Sequence, residues 1–399
     1  MVLDRTILHC DLNGFYAAVE CIFKPELKDV PMAVAGNPEN RHGIILAKNE
    51  LAKKYKVQTA ETIWQAKKKC PELVLVPPRH NEYERYSRLV NKIYEEFTDL
   101  VEPFGIDESW LDVTGVQHLF GNGVEIADKI RKTVRERLGL TISVGVSFNK
   151  VFAKLGSDYK KPDATTLITR DNYKQIVWPL PVSDLLYVGK SAKETLSKMY
   201  INTIGDLANS NRESIAKRLG KMGEMIHNYA NGIDESPVRP AQERQSVKSV
   251  GNGLTFDHDL VGFEEIKFEV LGLADEVASR MRRYGVKCNV VSVTIKDPNF
   301  KSISRQKTLS SPTNITKEIS DVSMELIRSC WSDRAPIRTL TITGSNLTSG
   351  EHSVEQLTIF DDKDTFNKEK FEKIDNTVDK IREKYGKQSI GLGGVINDN

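Results

Sequence analysis

Three carboxylates stand where a β-sheet could gather them. Asp11 ends the apolar run "ILHC", and Asp107 and Glu108 lie side by side in "EPFGIDESWLDVTG", where another strand begins. Neighbouring strand residues point to opposite faces, so these two acids meet only at a bend, which Gly105 allows. Taken singly, each acid has an ordinary reading. Asp11 and Asn13 could simply start the helix at Phe15, and acids at strand ends are usually solvated turn residues. Taken together they would repel one another unless cations lay between them, and oxygen donors suit Mg²⁺ or Mn²⁺. A third strand, "TISVGVSF", runs into "NKVFAKLGSDYKKPD", whose Lys150, Lys154, Lys160 and Lys161 would face phosphates. Acids around two divalent ions, beside lysines, are the parts of in-line phosphoryl transfer.

The elements that must hold these residues can be read from periodicity. In the first part of the chain, strands alternate with amphipathic helices such as "EYERYSRLVNKIYEEF" and "VEIADKIRKTVRERLG", predicting a sheet with one face covered by two helices. Near residue 168 the character changes. Short helices with glycine breaks follow, including "LLYVGKSAKETLSKM" and "TIGDLANSNRESIAKRLG", which read as helical hairpins. "SPVRPAQERQ" reads as a linker. From Lys248 to Leu347 strands and helices return as a second α/β unit, followed by a polar tail with one helix, "FEKIDNTVDKIREKYG".

The bulk numbers narrow the class. A chain of 399 residues predicts about two to four domains, and 39% hydrophobic with 28% charged residues is the composition of a soluble globular protein. No apolar run approaches the roughly 20 residues that cross a bilayer, and the N-terminus is too short and acidic for a signal peptide, so the expectation is cytoplasmic and without a membrane. Five scattered cysteines without a CxxC pair predict reduced thiols and no zinc site. The net charge is only +2, yet Val277–Lys317 holds nine Lys or Arg against Asp297 alone. That local bias is the footprint of a polyanion binder or of a solvated charged face.

"DLNGFYAAVE", "GIDESWLDVTG" and "SVGVSFNKVFAKLGSDYKKPD", in this order and spacing, resemble the signatures of the Y-family (lesion-bypass) DNA polymerases, nearest to the DNA polymerase IV branch. The resemblance covers nearly the whole chain. It implies an α+β multidomain, right-hand polymerase with a ferredoxin-like palm, small fingers, a helical thumb and an α/β little finger. Palm and fingers would span 1–167 (fingers about 15–79), the thumb 168–238, a linker 239–247, the little finger 248–350 and a tail 351–399. The implied activity is template-directed addition of dNTPs to a primer 3′-hydroxyl, without proofreading, by a monomer. Asp11 and Asp107 would hold both Mg²⁺ ions with the Leu12 carbonyl, and Glu108 would complete the site. Gly14, Phe15, Tyr16, Lys53 and Lys161 would bind the nucleotide, with Tyr16 as the ring that excludes a 2′-hydroxyl.

Further expectations follow from the resemblance. Gly189 and Gly205 would offer backbone amides to DNA phosphates, and Arg282, Arg283, Lys287, Lys301 and Arg305 would track the duplex. "QLTIF" resembles the short peptide that docks on a sliding clamp, with Gln356, Leu357, Ile359 and Phe360 as its contacts. There are departures too. Glu50 and Lys53 stand where many relatives carry a phosphate-binding Tyr and Arg, and an ammonium lacks the bidentate fork of a guanidinium. Two rivals compete with this reading: a nucleotidyl cyclase-like enzyme, which would need neither a helical thumb nor a basic distal domain, and an inactive DNA- or clamp-binding accessory, which predicts loss of an acid.

Overall fold

The structure is a computed structural model that describes residues 4–37, 43–243, 246–349 and 362–391. It divides into two compact units, Met1–Arg244 and Gln245–Asn399. No helix among the described residues is long and apolar enough to cross a membrane.

Among the described residues the first unit holds eight strands: β1 (Ile7–Leu12), β2 (Met32–Ala35), β3 (Ile45–Lys48), β4 (Val74–Val76), β5 (Val101–Pro103), β6 (Glu108–Asp112), β7 (Ile142–Ser147) and β8 (Thr165–Ile168). Five of them form a sheet in the order β5-β6-β1-β7-β8, antiparallel except for β7 and β8. Alternation along β1 assigns its two faces. Leu8, Cys10 and Leu12 join a core with Tyr83, Val90 and Ile93 of the His80–Glu95 helix and Ile126, Ile130 and Val134 of the Gly123–Leu138 helix. Those helices form because their apolar residues recur at helical spacing, and each large side chain buried contributes roughly 1.5–3 kcal/mol. Asn122 caps the second of them through the amides of Val124 and Glu125, and Gly139 ends it in the left-handed region. On the opposite face, Ile7 packs with Trp110 and Ala153 of the Lys150–Tyr159 helix. His9 and Asp11 share that face by their spacing of two.

Gly145 sets how closely that helix approaches. A Cβ at Gly145 would lie 1.8 Å from the Ala153 carbonyl oxygen and 2.5 Å from the Ser157 nitrogen. Only glycine lets helix backbone and strand backbone meet here. β3, β2 and β4 make a second, three-stranded sheet packed on the short helices Glu50–Lys54 and Ile63–Lys69. The remainder of this unit is helical, and Leu196, Ile204, Leu207, Ile215 and Ile226 pack there against Phe152 and Leu155.

In the second unit β9 (Ser249–Leu260), β10 (Val286–Lys296), β11 (Ser302–Thr313) and β12 (Ile337–Ser349) pair antiparallel in the order β11-β10-β12-β9. Val291, Val293, Ile295, Leu340 and Ile342 pack with the Phe263–Arg283 and Thr316–Cys330 helices. The alternate residues, such as Ser292, Thr294, Thr341 and Thr343, therefore form the other face of the sheet, rich in hydroxyls. A third helix, Asp362–Tyr385, is tied to this unit by ion pairs: Arg282 with Asp375 (3.0 Å) and Asp379 (2.6 Å), Lys287 with Glu372 (2.8 Å) and Arg382 with Asp275 (2.7 Å).

Two expected duplex contacts are thereby corrected. Arg282 is 8% exposed and spends its guanidinium on two aspartates and the Asn314 carbonyl, while Lys287 is held by Glu372. A charge count over Val277–Lys317 cannot see acids some ninety positions later that fold back onto it. Arg283, Lys301 and Arg305 are exposed.

Candidate active site

The antiparallel register of β1 and β6 places Asp11 opposite Glu108, and the Leu12 amide donates to the Asp107 carbonyl at 3.0 Å. Three carboxylates thus converge at one end of the sheet. Gly105 belongs to the same corner, since a Cβ there would lie 3.2 Å from Glu108 Cγ and 3.3 Å from Asp107 Oδ1. Lys161 Nζ lies 2.8 Å from Asp11 and 2.7 Å from Asp158. Lys154 is bonded to Glu108 Oε2.

The three acids differ electrostatically. Burial, then the charges of Asp11 and Glu108, push the Asp107 carboxyl up to about 6. Burial opposes ionisation of Glu108 as well, but bonds from His9 and Lys154 outweigh it and hold that carboxyl at about 2. For Asp11, burial raises the pKa against the pull of Lys161. The corner therefore carries more negative charge than its two lysines balance.

Tyr16 stacks on Tyr83 with ring centroids 4.0 Å apart and meets His80 edge-on at 6.1 Å. Its phenol pKa is raised by burial and then by the charge of Asp107. Phe15, only 3% exposed, packs in the core beneath. Gly14 precedes the Phe15–Phe23 helix with φ +53°, and a Cβ there would stand 3.2 Å from the Lys48 carbonyl oxygen. That helix start has no side-chain cap. Lys53 lies on the exposed surface, 3.5 Å from Glu50.

Other expected residues behave differently. Lys150 does not face a phosphate site. Its ammonium is 2.8 Å from buried Glu102 and 4.4 Å from the centre of the Trp110 ring, a structural ion pair. Lys160 is exposed. Gly189 stands exposed before the Lys190–Ser197 helix, with open space around it. Gly205 lies buried inside the Ile204–Ala208 helix and its N–H donates to the Trp178 carbonyl at 2.9 Å, so that amide is committed to the fold and cannot serve DNA. A turn the hairpin reading missed is Gly220, which breaks the Arg212–Ala230 helix with φ +62°. Its signal was the spacing in "RLGKMGE". Gln356, Leu357, Ile359 and Phe360 lie outside the described residues.

The reading from sequence also passed over two groups. His9 is fully buried, its Nδ1 2.8 Å from Ser157 Oγ and its Nε2 3.3 Å from Glu108 Oε2. Burial lowers its pKa, against the hydrogen bond to Glu108, which raises it. Asn13 accepts from the Asp163 amide at 2.9 Å and donates to Ser143 Oγ at 2.9 Å, tying the loop after Lys161 to β7.

Comparisons with known proteins bear on this geometry. Profiles of the impB/mucB/samB family and of that family's C-terminal domain match residues 10–158 and 247–359, and a profile for the thumb domain of DNA polymerase-iota matches 183–234. DNA polymerase IV of Acetivibrio thermocellus is 46% identical over 396 residues, covering 99% of this chain and 98% of the relative. The chain belongs to the DNA polymerase IV branch of the Y-family. DNA polymerase IV 1 of Bacillus subtilis is 36% identical over 394 residues, 98% of this chain and 94% of the relative. In fold the chain is similar to a solved Y-family DNA polymerase chimera, with TM-score 0.77, 24% identity and coverage of 86% and 99%. Y-family membership implies dependence on divalent cations. The corner fits such ions: its donors are carboxylate oxygens, and burial followed by the charges of Asp11 and Glu108 raises Asp107 to about 6.

Proposed function

We infer that this chain is a template-directed DNA polymerase of the low-fidelity lesion-bypass type. The observation that carries the reading is the convergence of Asp11, Asp107 and Glu108 at the ends of β1 and β6 beside Lys161. Asp11, Asp107, Glu108 and the Leu12 carbonyl would hold two Mg²⁺ ions, which when bound supply charge stabilisation to an in-line displacement at the α-phosphate. The chain's own residues do the rest. The uncapped amides after Gly14 take the triphosphate, and Lys161 exchanges Asp11 for a phosphate oxygen. Tyr16, braced by Tyr83, closes the sugar pocket. Gly189 and exposed Arg283, Lys301 and Arg305 contact the DNA backbone without reading sequence. We assign residues 1–167 to palm and fingers, 168–238 to the thumb and 248–350 to the little finger.

Primer extension with Mg²⁺ and dNTPs on a primed template tests the reading. Template-ordered addition is expected. A cyclic nucleotide formed without primer, or DNA binding with no addition, would replace it with one of the rivals.

Tyr16→Ala is expected to raise the rNTP-to-dNTP insertion ratio at least roughly tenfold, since about 1.4 kcal/mol of clash suffices for that. An unchanged ratio moves the gate to another residue. The tail motif gives a separate expectation. Leu357→Ala with Phe360→Ala should abolish stimulation by a sliding clamp and leave clamp-free extension unchanged, because such peptides bind through a few apolar anchors. Retained stimulation with a lower melting temperature would make the segment part of the core.

A further inference from the structure

We propose that the exposed ring of Phe104 seats the deoxyribose of the primer's terminal nucleotide and disfavours a ribose there. The inference rests on the polymerase reading above and adds to it a residue outside the carboxylates and their lysines. Phe104 lies in the turn that joins β5 to β6, where its amide and that of Gly105 donate to the Glu108 carbonyl at 2.9 and 3.2 Å. The turn that presents Asp107 and Glu108 therefore presents this ring as well. One aromatic ring that is 42% exposed means little by itself. What distinguishes Phe104 is how firmly it is held. Its ring packs on that of Trp110, centroids 4.6 Å apart, and Trp110 is only 3% exposed. The indole N–H donates to the Lys150 carbonyl at 3.0 Å, and the Lys150 ammonium lies 4.4 Å from the indole centre. Lys154 Nζ, bonded to Glu108, is 5.3 Å from the centre of the Phe104 ring. A stiff side chain backed by a fixed indole is an apolar surface already in place before substrate arrives.

Strand order assigns what reaches that surface. Asp11 lies on β1, the middle strand of the sheet β5-β6-β1-β7-β8. Lys161, which bonds Asp11, belongs to the segment between the Lys150–Tyr159 helix and β8, the strand at one edge. Phe104 follows β5, the strand at the other edge. In an in-line displacement the attacking and leaving oxygens stand on opposite sides of the phosphorus. With the leaving phosphates at Lys161, the attacking 3′-hydroxyl comes from the β5–β6 side, where Glu108 and Phe104 stand together. The group that carries this hydroxyl is the primer's terminal deoxyribose. Its C2′ bears only hydrogens, so it rests on an aromatic ring without losing a hydrogen bond. A ribose would turn a hydroxyl onto the same ring, and a hydroxyl buried against an apolar surface forfeits its water. Phe104 thus reads the sugar of the primer terminus, whereas Tyr16 is assigned to the sugar of the incoming nucleotide.

The test uses the full chain with Mg²⁺, dNTPs and two primers of one sequence, ending in a deoxyribose or in a ribose nucleotide. Single-turnover extension of each is measured for wild type, Phe104→Ala, Phe104→Leu and Phe104→Gln, with KM for dNTP and the melting temperature alongside. Wild type should extend the deoxyribose-ended primer roughly tenfold faster, the scale set by one desolvated hydroxyl. Phe104→Ala should slow that primer by roughly tenfold and bring the two primers within about twofold of each other, with KM for dNTP little changed. Phe104→Leu keeps an apolar surface and should retain most of the rate and of the preference. Phe104→Gln offers the ribose a polar partner and should lose the preference. A wild-type chain that extends both primers equally overturns the proposal. So does a preference kept in Phe104→Ala while its melting temperature falls, which is what a packing role alone would give. If Phe104→Ala does not fold, Phe104→Gln decides, and a wild-type preference there overturns the assignment. Wild-type chain that extends neither primer would instead sink the polymerase reading itself.

Discussion

Asp107→Asn and Glu108→Gln should each lower primer extension by roughly a thousandfold or more, about 4 kcal/mol of barrier, while moving stability in opposite directions. The activity loss has a common cause, since either change removes a charged oxygen donor from the corner. The stability effects differ because the surroundings differ. A carboxyl held at about 6 where 3.8 is ordinary is strained whenever it is ionised, and the folded state is destabilised by on the order of 1–3 kcal/mol. That destabilisation is fully present above about pH 6 and fades as Asp107 is protonated towards pH 4. Asp107→Asn should therefore raise the melting temperature in EDTA at pH 7.5 and lose the advantage near pH 4.5. Glu108 has the reverse sign. Held at about 2 where 4.5 is ordinary, its ionised form stabilises the fold above about pH 4.5, and the benefit is lost as pH falls towards 2. Glu108→Gln removes the negative charge that pairs with Lys154 and should lower the melting temperature at pH 7.5. Extension within tenfold of wild type in either variant, or equal melting shifts in the two, would remove this account of the corner.

How far the corner was legible follows from the range over which each cause acts. Asp11, Asp107 and Glu108 could be read because strand ends and a neighbouring glycine are local features. Lys161 could be read because it follows a helix launched from the same sheet. Lys150 misled for the same local reason: four lysines in one stretch look alike, and only the fold brings Glu102, 48 positions earlier, to one of them. Gly205 looked like a hairpin turn because a glycine between two helical runs usually is one. Its amide had already been taken by Trp178 across the helical region. His9 carried no signal at all, being one histidine in an apolar strand, which is more often core than anything else. That strands and helices share layers was accessible, because amphipathic helices between short apolar strands recur along the chain, while the α+β multidomain class came with the family resemblance.

Asp375→Ala should destabilise the Gln245–Asn399 unit by about 3–4 kcal/mol, from two separable losses. The first is electrostatic. Asp375 and Arg282 are 10% and 8% exposed and 3.0 Å apart, so removing the acid leaves a buried guanidinium with less than its full set of partners. Asp379 and the Asn314 carbonyl remain, which keeps the cost at the lower end of the range for a broken buried pair. The second loss is a helix cap. The Thr316–Cys330 helix begins after Ile315, which has no side chain able to cap it, and the Thr316 amide donates instead to Asp375 Oδ2 at 2.8 Å. A carboxylate from the Asp362–Tyr385 helix thus does the work a local Ser or Asp would usually do, worth about 1 kcal/mol. Chemical denaturation of the full chain, followed by a probe in the second unit, measures the sum. Arg282→Met in the Asp375→Ala background should recover part of it, because it removes the stranded charge and leaves only the missing cap. A single-mutant effect below about 1 kcal/mol would mean the tail helix contributes little to this unit.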